Sequence, residues 1–244
     1  MTTQVEALAK YAARAGFADL SQESRRQLPI HILDSLGCCI AALGAGPVQA
    51  CREQVAEFGG SGPCALTGGG QANPIYAAFW HTALVRYLDF MDNFLAPTET
   101  CHTADNFGVA LTIADYVGGS GRDLMLGVAL GYTVQSRFVD HANFMSSGFD
   151  HTSQLAFSHN AAAGRLLGLS EQQIERHRYG CGQRCVLRCR SREAAFAMER
   201  TRLGTVGARL DERAVPRTTR CGGSPASDRG PTGHRPSPEN EDQH

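Results

Sequence analysis

Residues 105–117, DNFGVALTIADYV, and residues 123–141, DLMLGVALGYTVQSRFVDH, decide the fold class. Their apolar side chains recur every three or four positions, which is the spacing of one face of an α-helix. Neither stretch alternates apolar and polar residues as a half-buried strand would. The same helical spacing extends along most of the first 175 residues, without an internal repeat. The sequence therefore predicts an all-α domain.

Cap residues predict where individual helices begin. Ser21 and Asn73 are residue types that accept hydrogen bonds from the first turn of a helix, and Pro74 suits the first helical position. Ser170 followed by Gln173 has the form of a capping box. We predict helices over residues 5–15, 22–43 with a kink at Pro29, 48–58, 74–87, 105–117, 123–141 and 152–167, another after Ser170, and a glycine-rich loop at 59–70.

Composition changes sharply near residue 175. Residues 176–244 contain 14 of the 22 arginines and four of the nine cysteines, but no lysine. An alanine codon read one base out of frame becomes a codon for Arg, Cys, Gly or Ser, which is the composition of this segment. We therefore predict a folded helical unit over residues 1–175 and an aberrant, frame-shifted and largely disordered tail over residues 176–244. The alternative is a native disordered tail.

Charge and apolar content argue against several classes of function. The formal net charge is −1, so there is no electrostatic case for binding nucleic acid. A charged segment followed by an apolar stretch is missing from the start of the sequence, and no run of 18 apolar residues occurs. We therefore expect no signal peptide, no membrane span, a cytoplasmic location and a small-molecule partner. Five cysteines lie in helical contexts that favour reduced thiols over disulfides: Cys38, Cys39, Cys51, Cys64 and Cys101.

Residues that could carry out chemistry concentrate in YLDFMDNFLAPTETCHTADN, residues 87–106. Asp89 and Asp92 are three positions apart, which places both carboxylates on one face of a helix end, and His102 follows after a loop. A carboxylate beside an imidazole can fix its tautomer and tune its pKa, as proton transfer near neutral pH requires. We therefore predict an acid/base set in a flexible connection. The alternative is solvated charges at a helix end and a loop histidine without a catalytic role.

A second cluster is SSGFDHTSQ, residues 146–154, at the start of a predicted helix. His151 would lie at the helix N-terminus, where the helix dipole favours the neutral imidazole and where anions bind. We predict that it serves a carboxylate substrate. The alternative is that Asp150 or Thr152 caps the helix and the histidine has no role.

These segments resemble the MmgE/PrpD family, which includes 2-methylcitrate dehydratases and cis-aconitate decarboxylases. The resemblance covers residues 4–175 and rests on the order of ILDSLGCCIAA, RYLDFMDN, CHTADNFGVALTIADY, GGSGRDLMLGVALGYTVQSRF and GFDHTSQLAFSHNAAAGRLLGLSEQQIE. It implies a large helical domain and a smaller α+β domain with the active site between them, usually in a homodimer. It implies no cofactor and no obligatory metal.

The resemblance also implies roles for particular residues. Asp89 falls on the first aspartate of the family's L-D-F-D-D signature, His102 on the histidine of its H-P-S segment, and His151 on the histidine of its G-F-x-x-T region. The implied reaction is β-elimination of water from a hydroxy-tricarboxylate such as 2-methylcitrate, with both histidines in acid/base roles and Asp89 orienting an imidazole. The chain differs from these signatures at Met91, Asn93 and Thr103, and its loop is longer, which leans away from a decarboxylase.

The family carries an active-site lysine in a W-K-G segment, whereas the only lysine in this sequence is Lys10. Read one base later, the codons of Met198 and Glu199 give Trp whatever codons are used, and the shifted frame would supply Trp-Lys-Gly at residues 198–200. We therefore expect dehydratase activity to be impaired in the chain as it is read.

Three further readings stay open from the sequence. Arg86 and Arg137 could bind carboxylates, although surface charge or helix pairing is the favoured role for both. The chain could instead be a catalytically inactive helical remnant that at most oligomerises. It could also bind zinc through residues that recur at four-residue steps, namely His177, Cys181, Cys185 and Cys189.

Overall fold

In a computed structural model, residues 3–97, 99–142, 144, 146, 149 and 151–182 can be described, and the side chains of residues 177–182 lie outside this description. Within these residues there are eight α-helices: α1 (Gln4–Arg14), α2 (Gln22–Ala42), α3 (Gly46–Phe58), α4 (Pro74–Tyr87), α5 (Asp105–Tyr116), α6 (Gly121–His141), α7 (Thr152–Leu166) and α8 (Glu171–Gly182). A 3-10 turn spans Phe17–Asp19. The predicted helical fold class is confirmed. Most of the predicted tail, residues 183–244, lies outside the described residues.

Two short antiparallel hairpins join pairs of helices. β1 (Cys64–Ala65) pairs with β2 (Gln71–Ala72) between α3 and α4, and β3 (Phe94–Leu95) pairs with β4 (Thr100–Cys101) between α4 and α5. The sequence showed no strand pattern here, because a strand of two residues is too short to display alternation. The predicted loop at residues 59–70 accordingly contains β1.

The predicted caps form as expected. Ser21 Oγ accepts a hydrogen bond from the Ser24 N–H at 3.0 Å, and Asn73 Oδ1 accepts two N–H groups of the first turn of α4 at 3.1 Å each. Ser170 and Gln173 exchange side-chain to backbone hydrogen bonds of 2.9 and 3.3 Å. Each bond satisfies an N–H that has no partner within the helix, which is why these helices begin where they do.

Three helices begin one or two residues earlier than predicted, namely α1, α3 and α6. α6 starts at Gly121 rather than at Asp123, because Ser120 caps it. Ser120 Oγ accepts from the Asp123 N–H at 3.3 Å, and the Asp123 carboxylate accepts from the Ser120 N–H at 2.7 Å. The Ser120 hydroxyl also donates to the Asp123 carboxylate at 2.7 Å, and this bond, followed by that from the Ser120 N–H, holds the pKa of the Asp123 carboxyl below its usual value. The capping box was present in the sequence and had been overlooked.

α4 is the central helix of the core. Every residue from Ala77 to Arg86 is buried, as expected of a helix that is apolar around most of its circumference. Helices α2, α3 and α5 pack around it, and α6 and α7 pack against α5. A smaller apolar cluster joins α1 and α8 to α6 and α7. The segment that connects α4 to α5 is therefore attached at both ends to helices packed in the core.

The cysteines in the described part of the chain are Cys38, Cys39, Cys51, Cys64 and Cys101, and all five are buried and free. The prediction of reduced thiols is confirmed for them. Burial raises the pKa of Cys39 and of Cys101 to about 12, so both stay protonated near neutral pH. A thiol that keeps its proton is a poor nucleophile.

Within the described ranges, no single helix is long and apolar enough to cross a membrane. Helices α2 and α3, which meet at a bend of 92°, together have the length and composition of a bent span.

Close helix crossings hold α5 in place. A Cβ atom added at Gly108 would lie 2.5 Å from both the backbone N and Oγ1 of Thr82 on α4. A Cβ atom added at Gly131 on α6 would lie 2.7 Å from the Cβ of Asn106. Both distances are shorter than real contacts allow, so glycine is needed where α5 meets its two neighbours.

We predict that Gly108→Ala lowers the free energy of unfolding by about 1–3 kcal/mol, because α4 and α5 must move apart to accept the methyl group. Gly37→Ala is the matched control, since Gly37 also lies inside a helix but has no atom within 4 Å of an added Cβ. It should raise stability by about 0.5–1 kcal/mol through helix propensity. Urea unfolding measures both changes. Equal effects of the two variants would contradict the tight crossing.

Candidate functional site

The connection between α4 and α5, for which we predicted a loop, contains a hydrogen-bonded hairpin. In its register, Phe94 faces Cys101 and Leu95 faces Thr100, and the Ala96 N–H donates to the Glu99 carbonyl at 2.9 Å to close the turn. We refer to residues 92–103 as the α4–α5 hairpin.

Beyond the two backbone-paired positions of the hairpin, the next two pairs of facing residues are joined by side-chain hydrogen bonds. His102 faces Asn93, and its Nδ1 is hydrogen-bonded to the Asn93 amide oxygen. Thr103 faces Asp92 and donates to Asp92 Oδ1 at 2.9 Å. Because an amide oxygen only accepts hydrogen bonds, His102 Nδ1 carries the proton, and Nε2 is the basic nitrogen of the neutral ring.

The tip of the hairpin is anchored by a buried carboxylate. Glu99 is 4% exposed, and its Oε1 accepts a hydrogen bond of 2.8 Å from Gln154 Nε2. Its Oε2 accepts from the Phe144 N–H at 3.1 Å. Gln154 lies in the first turn of α7, three residues after His151. Both carboxylate oxygens thus bind donors, which offsets the cost of burial and holds the hairpin against the start of α7.

The structure brings together the two histidines predicted from sequence. The rings of His102 and His151 lie with their centroids 5.2 Å apart, edge to face at 65°. His151 is the N-cap residue of α7, but its side chain accepts no capping hydrogen bond from the N–H groups of the first turn. It therefore lies at the positive end of the helix dipole, as the sequence indicated. Of the two residues predicted as alternative caps, Thr152 is the first residue of α7 rather than its cap, and Asp150 lies outside the described residues.

Asp89 occupies a different position from the one expected. α4 ends at Tyr87, so Asp89 and Asp92 do not share a helix face, and that prediction was wrong. Among the described residues, Asp89 is the one non-glycine residue with positive φ, at 59°. Aspartate tolerates this left-handed conformation better than most residues, although at some conformational cost. The reversal carries the Asp89 carboxylate back to the guanidinium of Arg86.

Arg86 is buried rather than part of the surface. It is 2% exposed, pairs with Asp89 at the i, i+3 spacing, and contacts Met91 Sδ at 3.8 Å. The prediction of a surface charge was wrong for Arg86. Its partner Asp89 lies beyond the end of α4, so the ion pair does not join two positions of the helix. Arg137 is exposed, as predicted. An arginine inside the apolar run of α4 was the signal that could have revealed its burial.

Sequence reasoning missed the partners of Asp92. Its Oδ2 accepts a hydrogen bond from the Tyr132 hydroxyl at 2.8 Å and lies 2.6 Å from His31 Nδ1. Tyr132 belongs to α6 and His31 to α2. Burial, followed by the nearby Asp92 carboxylate, raises the pKa of Tyr132, so the phenol keeps its proton. No sequence motif joins these distant residues.

Two other histidines are structural. His81 Nε2 accepts from the Thr67 N–H at 3.2 Å, and its Nδ1 is 2.9 Å from Thr112 Oγ1. His159 Nε2 lies 3.3 Å from the Asp105 carbonyl oxygen. Burial lowers the pKa of each histidine to about 4. Both rings are therefore neutral near pH 7, and neither is poised for proton exchange there.

No group of three or more His, Cys, Asp or Glu side chains that could hold a metal ion occurs in the described part of the chain. The side chains predicted as zinc ligands, those of His177, Cys181, Cys185 and Cys189, lie outside it. A cleft of about 560 Å³ lies away from the paired histidines, between α1, the 3-10 turn and α6, and Lys10 is part of its wall.

Comparisons with known proteins agree with the sequence resemblance. A sequence model described as the MmgE/PrpD N-terminal domain matches residues 6–200. The chain is 29% identical over 158 residues to 2-methylcitrate dehydratase of Escherichia coli O157:H7, covering 59% of this chain and 32% of that protein. It is 26% identical over 188 residues to 2-methylcitrate dehydratase of Cupriavidus necator, covering 70% and 36%. An alkylcitrate dehydratase of a fungal species is 28% identical over 161 residues, covering 59% and 32%. The chain thus spans about a third of the length of these relatives.

The buried neutral histidines predict a loss of stability in acid. Between about pH 6.5 and the folded-state pKa of about 4, the unfolded chain binds protons at His81 and His159 that the folded chain does not. Their full contribution is therefore present above pH 6.5 and is lost as the pH falls toward 4. One pKa unit corresponds to about 1.4 kcal/mol, so each histidine should destabilise the fold by up to roughly 3 kcal/mol.

Urea unfolding between pH 7 and pH 4 measures this effect. His81→Gln should flatten the dependence of unfolding free energy on pH, because it removes one of the two buried histidines whose pKa falls on folding. His141→Gln is the matched control, since His141 lies exposed at the end of α6 and should leave the slope as it is. A slope unchanged by His81→Gln would contradict the prediction.

Proposed function

The chain belongs to the MmgE/PrpD family, and from this premise we propose that it supplies the helical side of an active site that eliminates water from 2-methylcitrate or a related hydroxy-tricarboxylate. The observation that carries the proposal is the pair of facing imidazoles, His102 on the α4–α5 hairpin and His151 at the start of α7. Both are the residues that the family resemblance implied.

Elimination of water requires two proton transfers. A base removes a proton from the carbon next to a carboxylate, and an acid protonates the departing hydroxyl group. His102 offers a basic Nε2, because its Nδ1–H is bound by Asn93. His151 lies with its ring 5.2 Å from that of His102. Two imidazoles at this separation can serve neighbouring carbon atoms of one small substrate, one accepting a proton and the other donating one.

The substrate would bring several negative charges to the site. The N-terminus of α7, where His151 lies, presents backbone N–H groups and the positive end of a helix dipole. The resemblance implies that Asp89 orients an imidazole, whereas the partner that the structure gives its carboxylate is the buried Arg86. His102 Nδ1 is bound by Asn93 instead.

A second candidate is a catalytically inactive helical remnant that at most forms homodimers. The observation in its favour is that the family's W-K-G lysine does not occur in the 244 residues, where the only lysine is Lys10. The frame-shift hypothesis separates the two candidates. Sequencing the coding DNA across residues 174–200 would support the dehydratase if a single inserted or deleted base restores Trp-Lys-Gly, and would support the remnant if the frame is confirmed as read.

We predict that His102→Gln and His151→Gln each lower dehydration of 2-methylcitrate by about 100-fold or more, the usual contribution of a positioned acid or base. The ultraviolet absorbance of the conjugated product measures the rate, in the chain as read and in the chain with the frame repaired. We expect substantial turnover only in the repaired chain.

His141→Gln is the control for the two histidine variants, because it alters an exposed histidine on α6 outside the site. It should keep the parent rate. If both site variants also keep that rate in a repaired chain that turns over substrate, the acid/base roles proposed for His102 and His151 are wrong.

A further inference from the structure

One carboxylate ties the α4–α5 hairpin to two helices that are distant in sequence. Asp92 accepts hydrogen bonds from Tyr132 on α6 at 2.8 Å and from Thr103 across the hairpin at 2.9 Å. It also lies 2.6 Å from Nδ1 of His31 on α2. Bonds to an ionised carboxylate are stronger than those between neutral groups. Three donors from three elements therefore converge on a single side chain.

These contacts lie directly beside His102. In the hairpin register, the bond between Asp92 and Thr103 is the neighbour of the bond between Asn93 and His102. Thr103 is 5% exposed, so its hydroxyl has little access to water in place of Asp92. The bond between Asp92 and Thr103 holds the two strands of the hairpin together next to the pair formed by Asn93 and His102. The Asn93 amide oxygen therefore keeps its position against the imidazole of His102.

Two of the donors to Asp92, Tyr132 and Thr103, keep their protons under ordinary conditions. The raised pKa of Tyr132 keeps its phenol in the donor form. The ring of His31 also packs edge to face on that of Tyr132, with the centroids 5.7 Å apart. Thr103 can donate through its hydroxyl at any pH. The arrangement is therefore a preformed support around Asp92.

We propose that Asp92 is a positioning residue for His102: through Thr103 and the hairpin register it holds Asn93 against His102 Nδ1, and so keeps Nε2 as the basic nitrogen. Tyr132 and His31 hold Asp92 in turn. The kinetic importance of this arrangement rests on the proposed function. Its effect on the His102 tautomer does not, and can be measured without turnover.

The test is the ratio of the two neutral tautomers of His102, measured from ring nitrogen shifts by NMR of the 244-residue chain labelled with ¹⁵N-histidine. We expect the Nδ1–H form to dominate in the parent protein. Asp92→Asn and Thr103→Val should each lower the ratio of Nδ1–H to Nε2–H at His102 by about fivefold or more, the factor that corresponds to one lost hydrogen bond.

Matched variants separate positioning from a general loss of stability. Thr103→Val keeps the size of the side chain but removes the donor, whereas Thr103→Ser keeps the hydroxyl and should restore the parent ratio. The buried rings of His81 and His159 report whether the core is intact, and their signals should not change. If Asp92→Asn does not fold, the comparison of Thr103→Val with Thr103→Ser still tests the proposal.

Two outcomes overturn the proposal. One is a His102 tautomer ratio that is the same in the parent and in Thr103→Val while the His81 signals are intact. The other is a Thr103→Ser variant that behaves like Thr103→Val, which would make the hydroxyl irrelevant. Failure of the proposed function looks different: the tautomer ratio then responds to Asp92→Asn, but His102→Gln leaves the rate of the frame-repaired dehydratase unchanged.

Discussion

At the tip of the α4–α5 hairpin, the buried carboxylate of Glu99 binds the Gln154 amide and the Phe144 N–H. This is the constraint on which the candidate site depends, because the two histidines come from segments about 50 residues apart in sequence. The hairpin carries His102 and α7 carries His151, and Glu99 joins one to the other. A carboxylate out of water is stable only with donors on both oxygens, so the anchor favours one arrangement of the two segments.

The rest of the domain makes that anchor effective by fixing both ends of the hairpin. α4 is buried over its last ten residues before Tyr87, and α5 packs so closely on α4 that only glycine fits at residue 108. Asp92 adds a second attachment, to α2 and α6. The hairpin therefore connects two rigid helices and is bonded at its tip and at its base. Two imidazoles held by secondary structure on both sides have the fixed geometry that the proposed proton transfers would need.

The helices could be predicted from the sequence because their signals are local. Apolar spacing gave the helical class, and Asn73, Ser21 and Ser170 marked where three helices begin. The choice of His102 and His151 came from the helix end and from the family resemblance, and the structure brings these two rings together. Neither source gave their spacing, which depends on a contact between Glu99 and α7.

The rest of the site could not be predicted because its determinants are not local. The hairpin has two-residue strands, too short for a period of two to be visible, and its register appears only once the chain is folded. Two of the donors to Asp92, His31 and Tyr132, lie about 60 residues before it and 40 residues after it. Asp89 was misplaced because α4 ends before it, and its left-handed backbone reverses the expected direction of the carboxylate. The burial of Arg86, by contrast, had a local signal, its place within the apolar run of α4.

The most direct measurement is a nuclear Overhauser effect between the ring protons of His102 and His151, in the parent protein and in Glu99→Gln. In Glu99→Gln the side-chain NH2 group would face either the Gln154 amide N–H or the Phe144 N–H, so two donors would meet and one hydrogen bond of the anchor is lost. The side chain keeps almost the same size. Glu53→Gln on the exposed side of α3 is the control. We expect the cross-peak in the parent and the control and a marked weakening in Glu99→Gln. A parent without the cross-peak, or a Glu99→Gln variant that keeps it at full strength, would contradict the account.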